Sequence, residues 1–183
     1  MAVGAGLFAF PNPVNEKAAR SVAGGVALLA LLTLVTGWHW ILVILALGFL
    51  SRVLSGPKLS ILGQLATRVI APRLGPAKLV PGPPKRFAQA IGLTFTTVAA
   101  IASLVFGSSA LATGLVAVLL GFALLESVAG FCAGCWLFGV LMRVGVIPDK
   151  TCEACSNIWA RYRGAGREHT QVSQPSKVGG IAE

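Results

Sequence analysis

Charge is scarce in this chain. Of 183 residues, 11% are Asp, Glu, Lys or Arg and only six are acidic, against about 25% charged in soluble globular domains. No charged residue falls between Ser21 and Ser51 or between Phe87 and Leu125, and cysteine is missing from the first 131 positions. A shortage of charge on this scale argues against a soluble enzyme. Disorder is excluded too, because 55% of the residues are hydrophobic and disordered chains need low hydrophobicity. No P-loop, dinucleotide-binding glycine pattern or serine triad is present, and Gly24-Gly25 reads as a helix-packing pair.

What is there is length and apolarity. Mean hydropathy is +0.80, and an integral membrane protein follows. A helix needs about 20 apolar residues to cross about 30 Å of hydrocarbon, so the first uncharged stretch is too long for one span. Thr36, Gly37, Trp38, His39 and Trp40 interrupt it. Glycine favours a turn and tryptophan favours the membrane–water interface. The pattern predicts a hairpin of helices over 18–36 and 39–55, with Arg20 and Arg52 snorkelling at their ends and His39 an interfacial residue of the turn. A second hairpin follows: a span over 87–106, a turn at Gly107-Ser108-Ser109, and a fourth helix from Leu111 that stays apolar to Met142 apart from Glu126. At 1.5 Å per residue that helix crosses the membrane by about Phe131 to Cys135, and the remainder lies at the interface or bends back along it.

Net charge is +9, and its distribution sets orientation. The 52–86 loop holds Arg52, Lys58, Arg68, Arg73, Lys78, Lys85 and Arg86 and no acid, while both hairpin turns lack Lys and Arg. Basic loops stay in the cytoplasm. The loop and both termini are therefore expected there, in the inner (plasma) membrane. Met1 to Phe10 lacks the basic start of a cleavable signal. Within the loop, Pro57 can open a helix, and Leu62, Leu65, Val69 and Ile70 fall on one face. That spacing predicts a short amphipathic helix on the membrane surface. Gly75 to Pro84, with four prolines, reads as an extended connector. The basic loop is assigned to the lipid bilayer rather than to nucleic acid. The domain organisation is then a cytoplasmic segment over 1–17, a four-span domain over 18–163, and a polar, disordered tail over 164–183.

The four cysteines form two C-x-x-C pairs, Cys132/Cys135 and Cys152/Cys155, sixteen residues apart. The expected topology puts both pairs at the cytoplasmic face, where permanent disulfides are disfavoured. Two chemistries fit. C-x-x-C is the redox dithiol spacing, and residues i and i+3 of a helix share a face. The whole C-x2-C-x16-C-x2-C pattern also falls within the range for a structural zinc bound by four thiolates. Buried apolar cysteine is the bland reading. It suits Cys132 and Cys135 better than Cys152 and Cys155, which sit in a polar segment beside Glu153. Asp149 is a candidate N-cap for a helix over 150–162, with Cys152 in its first turn, where the helix dipole favours a thiolate.

Glu126 is the one acid inside a predicted span, and an intramembrane carboxylate marks a functional position by default. It could pair across the bundle, take up a proton, or remain neutral on a serine or backbone carbonyl; it is expected to be protonated or hydrogen-bonded rather than free, so that Glu126→Gln is tolerated for folding while any proton-coupled activity is lost. On a straight helix Cys132 lies about 240° around from it and Cys135 roughly opposite, so Glu126 is not expected on the cysteine face.

Several segments together resemble a bacterial, actinobacterial-type family of four-cysteine integral membrane proteins, a "domain of unknown function" group. They are Val14-Asn15-Glu16, Pro84-Lys85-Arg86-Phe87-Ala88, Leu125-Glu126, Gly130-Phe131-Cys132 with Cys135, Gly145-Val146-Ile147-Pro148, and Cys152-Glu153 with Cys155. The resemblance covers about residues 12–157. It implies a small helical membrane domain and thiol or sulfur chemistry with thioredoxin-like or rhodanese-like partners.

The reading adopted is an all-α, four-helix transmembrane bundle of two hairpins that performs thiol–disulfide exchange or sulfur relay at the cytoplasmic surface. Cys152 is the attacking thiol, Cys155 its resolving partner, and Cys132/Cys135 the membrane-proximal pair. The alternatives are a scaffold clasped by zinc on Cys132, Cys135, Cys152 and Cys155, and a small proton-coupled transporter using Glu126.

Overall fold

A computed structural model describes residues 10–147. The expected 150–162 helix with Cys152 and Cys155, and the expected tail, lie outside the described residues. A two-residue strand, β1 (Val14–Asn15), leads into α1 (Glu16–Thr36), α2 (Trp40–Ser55), α3 (Ile61–Leu65), α4 (Ala71–Arg73), strand β2 (Leu79–Val80), α5 (Gly82–Leu104), α6 (Ser109–Leu124) and α7 (Ala133–Arg143). Four helices are long and apolar enough to cross a membrane: Glu16–Thr36, Trp40–Arg73 (α2 with its interrupted continuation), Gly82–Leu104, and Ser109–Ala129 (α6 with the turn after it).

Local chemistry explains the boundaries. The Asn15 side chain accepts from the Lys17 N–H at 3.0 Å and starts α1. Gly37, at φ 68°, ends it in the left-handed region, its N–H donating to the Thr33 carbonyl. Trp38 and Trp40 flank the turn with 71% and 72% of their surface exposed, as interfacial tryptophans should be. The expected first hairpin therefore forms to within two residues. The amphipathic segment after Pro57 is also helical, capped by Ser60 and carrying a π-turn at Ala66–Ile70.

Three expectations change. The connector is shorter than Gly75 to Pro84, because α5 begins at Gly82 and takes Pro83 and Pro84 into its first turn. Proline is favoured there, where its missing N–H has no intrahelical acceptor to lose. Just before it, β2 pairs antiparallel with β1, Val14 opposite Val80, so the connector is strapped to the start of α1. The apolar run from Leu111 to Met142 is not one helix: it passes through a π-turn at Leu125–Ala129 and breaks at Gly130, φ 69°. Finally, Arg20 and Arg52 do not snorkel. Arg20 donates to the carbonyls of Ser127 and Val128, which the ending helix leaves without partners. Arg52 turns inward and is buried.

The helices pack chiefly across the two hairpins. α1 lies on α6, α2 on α5, and α5 on both α6 and α7, while α1 and α2 touch less. Small residues fill much of their interior, among them Ala27, Ala30, Ala99, Ala102 and Ala112, all buried, beside a few large ones such as Leu42, Leu45 and Phe49. Large residues such as Leu28, Val35, Ile44, Leu47 and Val118 face outward. A water-soluble bundle has the opposite arrangement. In lipid, apolar burial drives no association, so close contact between small residues holds the helices together.

The tightest approach is at Gly92 of α5, where an added Cβ would overlap the ring of Phe49 from α2. Gly92→Val is therefore expected to destabilise the detergent-solubilised protein by about 1–3 kcal/mol, the usual cost of overpacking. Thermal unfolding checks this, and Phe49→Ala in the same chain should recover part of the loss.

Candidate functional site

The side chains that could do chemistry collect at one end of the bundle, on the side of the 56–81 connection. Lys85 lies in the first turn of α5, and its Nζ donates to Glu126 Oε1 at 2.6 Å. Both are largely shielded, with side-chain exposures of 9% and 15%. One turn further along α5, Gln89 accepts from Arg52 Nε at 2.8 Å. Arg52 Nη1 also donates to Ser60 Oγ at 3.2 Å, and its guanidinium carbon stands 4.5 Å from the centre of the Phe49 ring. Its Nη2 is buried and has no hydrogen-bond acceptor among the described residues.

Three of these residues belong to the site without having been marked by the sequence pattern. Lys85 reads as a loop charge, Arg52 as a helix-end charge, and Gln89 as one polar residue in an apolar run. A signal was present: Lys85, Gln89, Gly92 and Thr96 recur at i, i+4, i+7 and i+11, a small and polar face on an otherwise apolar helix.

Glu126 is therefore paired across the bundle, one of the outcomes weighed for it, and two inferences about it change. It is not remote from the cysteines. The π-turn and the left-handed Gly130 redirect the chain, so that Glu126 and Cys132 line the same cavity of about 560 Å³; the angle expected for a straight helix does not apply. Nor is Glu126→Gln benign, since it would leave the Lys85 ammonium shielded from water and without its counter-ion.

Cys132 is the N-cap of α7. Its backbone is extended, and its Sγ accepts from the Cys135 N–H at 3.4 Å. The Cys135 Sγ lies 2.7 Å from the Cys132 Sγ as a second donor. Both cysteines are free thiols. Gly134 makes this turn possible: a Cβ there would come within 2.5 Å of the Ala88 Cβ on α5. The Phe87 and Phe138 rings, 5.6 Å apart, fasten the next turn.

The two thiols are not equivalent. The hydrogen bond from Cys135 holds the Cys132 thiol below its ordinary pKa, with help from the Lys85 ammonium, against burial and the Glu126 charge. That same hydrogen bond, burial and the neighbouring Cys132 push Cys135 well above the ordinary thiol value. Of the two, Cys132 therefore has the greater thiolate character and Cys135 holds its proton more tightly. For metal, the described residues supply two thiols; no group of three or more His, Cys, Asp or Glu residues able to hold an ion occurs among them.

Two outcomes follow. Glu126→Gln should cost about 3 kcal/mol, the scale for stranding one partner of a buried pair, and Lys85→Met combined with Glu126→Leu should recover most of it in thermal unfolding. Near pH 7, iodoacetamide should modify Cys132 before Cys135, although Cys135 is the more exposed; peptide mapping after short exposure reads the order.

Among known proteins, neither the curated sequences nor the solved structures contain a match to this chain. A family model does match, described as "Domain of unknown function (DUF4395)", over residues 14–143. The match takes in all four long helices, the Lys85–Glu126 pair and Cys132/Cys135, and stops short of Cys152 and Cys155. The chain accordingly belongs to the DUF4395 family, as a protein whose helices suit a multi-pass position in a membrane.

Proposed function

We propose that this protein carries out thiol–disulfide exchange or sulfur relay at the membrane face that bears the 56–81 connection. The observation that carries this reading is the Cys132/Cys135 pair, two free thiols 2.7 Å apart with Cys132 as a helix N-cap. A disulfide requires about 2.05 Å between sulfurs, so oxidation asks for only a small closure. The division of labour suits exchange: Cys132 attacks, and Cys135 resolves the mixed disulfide by displacing the partner's sulfur. Cys152 and Cys155 would be the pair that meets a soluble thioredoxin-like or rhodanese-like protein. The dithiol reading is favoured over a proton-coupled transporter because Glu126 is held in an ion pair with Lys85, which gives it a structural role.

In this reading the membrane is the inner (plasma) membrane, and the 56–81 connection and both termini are cytoplasmic, as the basic loop requires. Labels placed at His39 and Ser109 should react from outside intact cells; a cytoplasmic response from Ser109 would overturn the orientation.

The exchange reading predicts that Cys135→Ser accumulates mixed disulfides through Cys132, and Cys155→Ser through Cys152, because each loses its resolving thiol. Non-reducing electrophoresis and mass spectrometry detect them, and the thiol count should change in steps of two under oxidant. About one zinc per chain in purified protein, with all four thiols protected until a chelator is added, would instead establish a structural zinc site built from the four cysteines.

A further inference from the structure

The cavity beside the dithiol has a composition of its own. About 560 Å³ in volume, it falls within the usual range of about 300–1,000 Å³ for small-molecule sites. It is walled by α1, α2, α5, α6 and α7. Its inner wall is apolar and tightly packed, formed by Phe49, Gly92 and Ala123. At its rim stand Phe122, Phe131 and Trp136, exposed by 45%, 45% and 61%. A rim of exposed aromatic rings on helices that face lipid admits apolar molecules from the bilayer rather than ions from water. Three polar residues converge at one end: Cys132, Glu126 and Gln89. With Gln89 Oε1 occupied by Arg52, the Gln89 amide nitrogen has no acceptor among the described residues and is available to donate.

These properties describe a ligand. It is bilayer-soluble, flat enough to lie among aromatic rings, has an oxygen that accepts a hydrogen bond, and reacts with a dithiol. We propose that the cavity binds a membrane quinone, which takes two electrons from Cys132 and Cys135; the inference rests on the dithiol reading of the pair. In the step, both thiols lose their hydrogens and one S–S bond forms between Cys132 and Cys135. Two electrons and two protons pass to the quinone, whose two carbonyls become the hydroxyls of the quinol. The quinol leaves to the bilayer, and a reduced thiol protein returns the disulfide to the dithiol. Cys132 forms part of the cavity wall and Cys135 does not, so Cys132 is the sulfur that meets the ring.

The test uses the full chain, reduced and freed of reductant, in detergent micelles under anaerobic conditions. The probe is decylubiquinone, whose fully substituted ring does not add thiols. Tryptophan fluorescence reports binding in a Trp159→Phe background, because of the three tryptophans then left Trp136 is on the cavity rim while Trp38 and Trp40 are at the opposite end of the bundle. Saturable quenching is expected, reduced at least threefold in Trp136→Phe, with two thiols lost for each quinol formed. Cys132→Ser should keep the quenching and form no quinol. Non-saturable quenching, equal in Trp136→Phe, would overturn the binding site. Saturable quenching without quinol would overturn the electron step. A parallel titration in glutathione redox buffer separates the two readings. If Cys132/Cys135 oxidises there and quinone has no effect, this inference alone fails; if neither oxidises the pair, the dithiol reading fails with it.

Discussion

The arrangement depends on one ion pair, Lys85 with Glu126, 2.6 Å apart and largely hidden from water. Neither charge could remain in this position alone, since an unpaired ion shielded from water costs several kcal/mol. Together they tie the beginning of α5 to the end of α6 and hold fixed the place where the chain leaves the fourth span. Because α6 ends there in a π-turn, the carbonyls of Ser127 and Val128 lose their helical partners and are taken by Arg20 from α1. Three of the four long helices are thus tied together at the point from which the dithiol turn departs.

That point is also where polar chemistry meets an apolar cavity. Arg52, Gln89, Lys85 and Glu126 form a compact polar layer, and Cys132 lies within electrostatic reach of Lys85 and Glu126. Elsewhere the bundle is held by small residues in close contact, which in lipid substitute for the hydrophobic drive that a soluble core would have. Gly92 and Gly134 are the two positions where this matters most: the first admits the Phe49 ring, the second seats the dithiol turn on Ala88. A rigid platform of this kind holds the two thiols close together without rearranging the spans.

Much of the fold was legible in the residues because its causes are local or compositional. Charge-free stretches, interfacial tryptophans and turn glycines locate the two hairpins, and Pro57 with the apolar spacing after it locates the short helical segment that follows α2. The site was legible only in part. Cys132 and Cys135 announce themselves by spacing, and Glu126 by being an acid in an apolar run. Lys85, Arg52 and Gln89 do not, because an arginine near a helix end has two solutions, snorkelling to water or turning inward, and the choice is made by what neighbouring helices offer. Here Gln89, Ser60 and the Phe49 ring offered more.

By itself the sequence determined a four-helix membrane architecture, the ends of its first hairpin and the presence of a dithiol motif, because hydropathy, turn chemistry and residue spacing act over short stretches of chain. Only the tertiary structure decided that α1 and α2 pack mainly on other helices, that Glu126 has Lys85 as its partner, and that Glu126 and Cys132 share a cavity. Each of those depends on contacts between segments tens of residues apart, and the last depends on a break at Gly130 that a regular helical repeat does not encode.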